Sequence, residues 1–225
     1  MIANPNRKLT VFSPRLGRLM GAAACLAFLA AGCGVGTADI PDTRFFVIDY
    51  RVPPSNPGTG QMLPVVLGVE SFRADSVYRT DRIVYRKVPY RVDFYPYERW
   101  GARPDEFVTD RLLDHLAASG RFKDVVRASA GASYDYLVRG RVKRFEEVGS
   151  SNGKFSALAQ LDLSLIDRHT GKVIFQQQFT QSTEAGSKPP QGFVEAMAEN
   201  LKTLLAGATK EIIEAASRHQ GAARP

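Results

Sequence analysis

Phe155-Ser156-Ala157-Leu158-Ala159-Gln160-Leu161-Asp162-Leu163-Ser164-Leu165 is the stretch on which the fold turns. Phe155, Ala157, Ala159, Leu161, Leu163 and Leu165 alternate with Ser156, Gln160, Asp162 and Ser164. That is the period of an antiparallel strand with one face buried and the other in water. Asp167 to Gly171 (DRHTG) supplies a turn, after which Val173, Phe175 and Phe179 resume the alternation and complete a hairpin. Upstream, Tyr134, Tyr136, Val138, Gly140 and Val142 share a face, with Arg139, Arg141 and Lys143 on the other. Three long, one-sided antiparallel strands are expected in a row.

A sheet with one apolar face needs a cover, and the sequence supplies two helices. Phe193, Met197, Leu201, Leu204, Leu205, Ala208, Ile212 and Ala216 recur at helical spacing, with Glu195, Glu199, Lys202, Lys210 and Glu214 opposite. Pro104-Asp105-Glu106 opens another helix, because Pro suits the first turn and acids favour the positive end of the helix dipole. Val108, Leu112, Leu113, Leu116 and Ala117 form its stripe, and Gly120 supplies the stop. Shorter strands are expected over 44–50, 63–72, 82–87, 90–95 and 122–127. Val88-Pro89 joins the third and fourth as a hairpin, and Gly68 marks a bulge or a close approach. Strands, helix, strands, helix reads as an α+β fold: one domain with a mostly antiparallel sheet and two main helices packed on one face.

The amino terminus reads as an address. Residues 1–18 hold Arg7, Lys8, Arg15 and Arg18 and no acid, and Leu19 to Ala31 is nearly all apolar or small. A basic segment before a short apolar run is a secretory signal, too short to span a bilayer, which needs about 20 residues. Leu29-Ala30-Ala31-Gly32-Cys33 resembles a bacterial lipobox, with Ala30 where Leu is preferred. Cys25 competes, but cleavage there would leave an apolar tail, so Cys33 is the expected lipidation site. Acyl chains contribute about 0.8 kcal/mol per buried methylene and hold such a protein on a membrane. The chain then divides into a signal peptide (1–32), Cys33 with a tether to residue 43, one domain over 44–218 and a polar tail over 219–225.

This processing changes the electrostatics. The 225 residues carry a formal charge of +7, yet loss of residues 1–32 removes four cations and no acids, leaving +3. Apolar residues at 44% and charged residues at 24% exclude a disordered or polytopic membrane chain. With Cys25 cleaved off and Cys33 alkylated, no thiol remains for a disulfide, a metal or a nucleophile.

Nothing points to catalysis. G-x-S-x-G, P-loop, G-x-G-x-x-G and H-E-x-x-H motifs are all absent. His115, His169 and His219 have no metal-ligand spacing and read as ordinary surface or boundary residues. Glu146 and Glu147 are adjacent on a strand, so their side chains point to opposite faces. The expectation is a protein that is not an enzyme, with no cofactor and no metal.

Arg73 to Arg103 is the unusual part, with eight cations, four acids and interleaved aromatics. Nucleic acid is not met by a secreted chain, whereas Arg, Tyr and Trp are enriched at protein–protein hot spots. Arg79, Arg82, Tyr85, Arg86, Tyr95, Tyr97 and Trp100 are therefore the candidate partner or self-association surface. The alternative is structural: rings half-buried in a sheet with arginine stems packed over them.

The run Phe72 to Arg86 (FRADSVYRTDRIVYR) and Phe94 to Trp100 (FYPYERW), followed by the Pro104 helix, resemble the ABC-type transport auxiliary lipoproteins. These are partners of MCE (mammalian cell entry) phospholipid transport systems, the paraquat-inducible lipoprotein C type among them. The resemblance implies a non-catalytic, lipid-anchored, periplasm-facing envelope domain, on the outer rather than the inner membrane. Its partners would be a periplasm-spanning MCE protein and its ABC transporter, with ring-like homo-oligomers left open. The other function considered is a lipoprotein that activates or assembles an envelope enzyme such as a peptidoglycan synthase.

Overall fold

A computed structural model describes residues 41–52, 61–149, 153–186 and 188–222. The signal segment, Cys33 and most of the tether lie outside the described residues. Asp42–Pro225 clusters as one unit.

The three expected long strands are β7 (Tyr136–Gly149), β8 (Phe155–Asp167) and β9 (Val173–Glu184). They pair antiparallel in chain order, with Val142 opposite Leu161 and Leu161 opposite Phe179. Ala157, Ala159, Leu161, Leu163 and Leu165 are all at most 1% exposed. Each buried Leu of this kind contributes about 1.5–3 kcal/mol relative to exposure. Val173 departs from the expected face. The register between β8 and β9 shifts between Leu165 and Ile166, which turns Val173 outward at 54% exposure while Phe175 and Phe179 stay half-buried.

The other edge of β7 explains why the sheet is mixed rather than purely antiparallel. β2 (Leu63–Val69), β3 (Arg73–Ala74) and β4 (Arg82–Arg86) line it in succession, all parallel to it. One passage of chain thus runs alongside β7, broken by a 3-10 turn over Ser76–Tyr78. β4 turns back antiparallel into β5 (Asp93–Trp100), the expected hairpin, and β1 (Arg44–Phe46) and β6 (Phe122–Arg127) pair parallel to β5 and β2. β1 and β2 are shorter than the apolar runs suggested.

Two glycines permit this close packing. A methyl at Gly140 would lie 2.1 Å from the Phe72 ring, and one at Gly68 would lie 2.6 Å from Tyr134. Gly68 is thus the close approach read from the sequence.

Helix α1 (Pro104–Ala118) begins with the Arg103 backbone N–H donating to Glu106 Oε2 at 3.2 Å, and Gly120 follows it at positive φ. Helix α2 (Gln191–Ala222) packs its stripe on β8 and β9 and also touches α1. Asn200, fully buried in that stripe, donates from Nδ2 to the Ala157 carbonyl at 2.8 Å. α2 continues through His219 to Ala222, so the expected polar tail begins inside the helix. Tyr136 shows why: its hydroxyl lies 3.0 Å from His219 Nδ1 and ties the last turns to the sheet. His115 is also not a surface residue, being 5% exposed with Nε2 3.1 Å from the Tyr50 hydroxyl. Burial lowers its pKa below 6.5.

Candidate functional site

The arginine- and tyrosine-rich segment folds as the 3-10 turn and the β4–β5 hairpin, set against the far half of β7. Tyr85 is the register partner of Glu147, which brings the hairpin over the adjacent carboxylates that sequence reasoning set aside. Glu146 is fully buried and Glu147 is 2% exposed. A buried carboxylate without partners is strongly unfavourable, so the groups around these two define the site.

Glu146 accepts from Arg86 Nη2 at 3.1 Å and from Arg86 Nε at 3.3 Å. It also accepts from Arg144 Nε at 2.7 Å and from Arg144 Nη2. Its hydrogen bond raises the Arg86 pKa further. Tyr78 sits against the same carboxylate, and burial together with that negative charge pushes its phenol up to about 12. Glu147 takes a different partner, the Tyr95 hydroxyl, which donates to Oε2 at 2.8 Å. Burial raises the Glu147 pKa although that hydrogen bond and Lys87 oppose the rise. Tyr95 is raised too, by burial first and then by the Glu147 charge. The two acids thus stand in separate networks, one held by guanidinium groups and one by a phenol.

The residues assigned to a docking surface fall into four groups. Arg86 and Tyr95 are turned inward onto Glu146 and Glu147. Tyr85 and Arg82 cover the hairpin: the Tyr85 ring meets Tyr95 edge-on at 5.0 Å under Lys87, and the Arg82 guanidinium lies 4.3 Å over Phe94. Arg79 is exposed and Tyr97 half-exposed. Trp100 does not reach the surface. It is 1% exposed among Phe107, Phe145 and Phe193, because it sits where the sheet, α1 and α2 meet. A large ring beside a strand end is equally suited to a hot spot and to a core junction, and sequence could not separate them. Cys33 lies outside the described residues.

Glu146 and Glu147 are what sequence reasoning missed. The available signal was their position between Phe145 and Val148, but the strand's alternation breaks between Val142 and Arg144, so Phe145, Glu146 and Glu147 are buried in a row. Among the described residues no cluster of His, Cys, Asp or Glu could hold a metal ion, and no helix is long and apolar enough to cross a membrane.

Fold and site define an α+β domain that presents an arginine–tyrosine hairpin braced from beneath by two buried carboxylates. The chain belongs to the ABC-type transport auxiliary lipoprotein family, which it matches over residues 46–207. Among solved structures it is similar to protein XCC0632 from Xanthomonas campestris, at TM-score 0.72 and 18% identity over 79% of this chain and 99% of that one. A second, uncharacterised protein superposes at TM-score 0.58 and 14% identity, covering 76% of this chain and 99% of the other. At such identities the likeness is one of fold. A PelC dodecamer from Paraburkholderia phytofirmans reaches only 0.41 at 15% identity over 70% of this chain and 92% of that one, too loose to argue from. No curated protein matches the sequence. Family membership carries the coarse assignment: an auxiliary lipoprotein of ABC-type transport, working in the cell envelope with a transporter.

Proposed function

We propose that this chain is a non-catalytic subunit of an MCE-type phospholipid transport system, anchored by lipid at Cys33 to the outer membrane and docking on a periplasm-spanning MCE protein. The family match over nearly the whole domain is the observation that carries this reading. The docking surface is the β4–β5 hairpin, with Arg82, Tyr85 and Tyr97 as contacts and Arg86 and Tyr95 held by the buried carboxylates. Tyr presents large contact area with few rotamers to freeze, and Arg a planar, multiply donating guanidinium, which suits both to a protein interface. Trp100 has no part in it.

Crosslinking followed by pulldown of the native lipoprotein from envelopes tests the partner. The expected product is an MCE-domain protein, and recovery of an envelope enzyme in its place would overturn the assignment. Tyr85→Ala with Tyr97→Ala should weaken that capture without unfolding the chain. Cys33→Ser should release the protein from membranes, and unchanged retention would refute anchoring at this residue.

A further inference from the structure

The strands around β3 leave a cleft whose chemistry the docking reading does not use. A cavity of about 790 Å³ is lined by residues 72–79 together with Arg103, Asp105 and Arg141. Phe72, Ala74 and Tyr78, each buried, contribute to its lining. Four arginines line it. Arg73 and Arg141 are register partners on β3 and β7 and both are exposed, Arg79 follows the 3-10 turn, and Arg103 precedes α1.

Three carboxylates stand among these four guanidinium groups, one of them Glu106, whose Oε1 lies 3.6 Å from Arg103 Nη2. Asp105 takes Arg103 in a two-point contact at 2.8 and 3.1 Å. Asp75 is shared between Arg141 at 3.3 Å and Lys143 at 2.9 Å. Among the described residues, Arg73 and Arg79 have no acidic partner. A second, smaller cleft of about 420 Å³ adjoins through Arg73 and Arg141 and adds Arg139, which is paired with Glu70 at 2.6 Å. Guanidinium charge in the lining exceeds carboxylate charge, which favours an anion there, and a guanidinium fork matches the oxygens of a phosphate.

We infer that this cleft binds a phosphate-type oxyanion, with Arg73 and Arg79 as the principal ligands and Arg103 and Arg141 completing the rim. Such an oxyanion is either free or carried by the headgroup of a lipid. The volume lies within the usual range for small-molecule sites, about 300–1,000 Å³. The inference stands on this side-chain arrangement and does not depend on the transport reading.

The test is calorimetric titration of the full chain in non-ionic detergent, with protein-free micelles subtracted. Inorganic phosphate and dihexanoyl phosphatidylglycerol are the two probes. Saturable binding at one site per chain, weakened by added salt, is expected for at least one. Arg73→Gln with Arg79→Gln should raise the dissociation constant about tenfold or more, since each charge-assisted contact is worth a factor of that order. The exposed Lys172→Gln should leave it unchanged. Circular dichroism and the thermal midpoint check that the double variant is folded. Binding of phosphate identifies a free anion as the source. Binding of the lipid alone, weakened also by Val77→Asn, identifies a headgroup. Absence of saturable binding to either probe, or equal binding by the folded double variant, overturns the site.

Discussion

Replacing Arg86 by Met separates a brace from a docking residue. Arg86 reaches a Glu146 side chain that is 0% exposed, while its own side chain is 24% exposed. Stripping a buried carboxylate of its partner costs about 3–5 kcal/mol. Here Arg144 stays, its Nε 2.7 Å from Oε1, so the loss is limited to one charge-assisted contact, about 2 kcal/mol. In a domain of this size that corresponds to a thermal midpoint lower by about 4–8 °C. Urea unfolding of Arg86→Met, Glu146→Leu and the double variant closes a thermodynamic cycle. The expected coupling between the two residues is about 1.5–2 kcal/mol, with the slope of the transition unchanged. A shift within about 0.5 kcal/mol, typical of an ordinary surface position, would refute the reasoning. If such an unshifted variant also failed to capture the envelope partner, Arg86 would be a docking contact and not a brace.

Gly140→Ala should cost about 1–3 kcal/mol by overpacking, because the added methyl meets the buried Phe72 ring; urea midpoints check it. Trp100→Ala should cost about 3–5 kcal/mol, while Arg79→Ala changes stability by less than about 0.5 kcal/mol; the reverse order would return Trp100 to the surface. Glu147 has a folded pKa raised above 4.5 by burial, so its stabilising contribution is complete below 4.5 and is lost as pH rises through the folded value. Glu147→Gln, which still accepts from Tyr95, should therefore gain stability over the parent at pH 8 and converge with it near pH 4. A parent that gains on the variant as pH rises would contradict this. His115 runs the other way: with its pKa lowered, its contribution is present above 6.5 and lost as pH falls through the folded value. His115→Gln should flatten that part of the stability–pH curve.

Much of the architecture was legible because periodicity is a local property. The alternation from Phe155 to Leu165 specifies a one-sided strand whatever surrounds it, and the stripe from Phe193 to Ala216 specifies its cover. Parallel pairing of β2, β3 and β4 along β7 was not legible, since strand direction depends on where the intervening chain returns. Val173 was misread because a single register shift reverses a face. The docking residues were partly legible as a composition, but composition cannot say which way a side chain points.

The sequence by itself determined the α+β layout, the arginine–tyrosine segment and the family to which the chain belongs. Tertiary structure decided what that segment does with its side chains. It sank Trp100 into the junction of sheet and helices, turned Arg86 and Tyr95 inward and left Arg73 and Arg79 at an open cleft, with no acidic partner among the described residues. The physical reason is that charge satisfaction is non-local: Arg86 and Glu146 lie 60 residues apart in the chain. Arg144 reaches that carboxylate from two residues away, but the second guanidinium, Arg86, is brought to it only by the completed sheet.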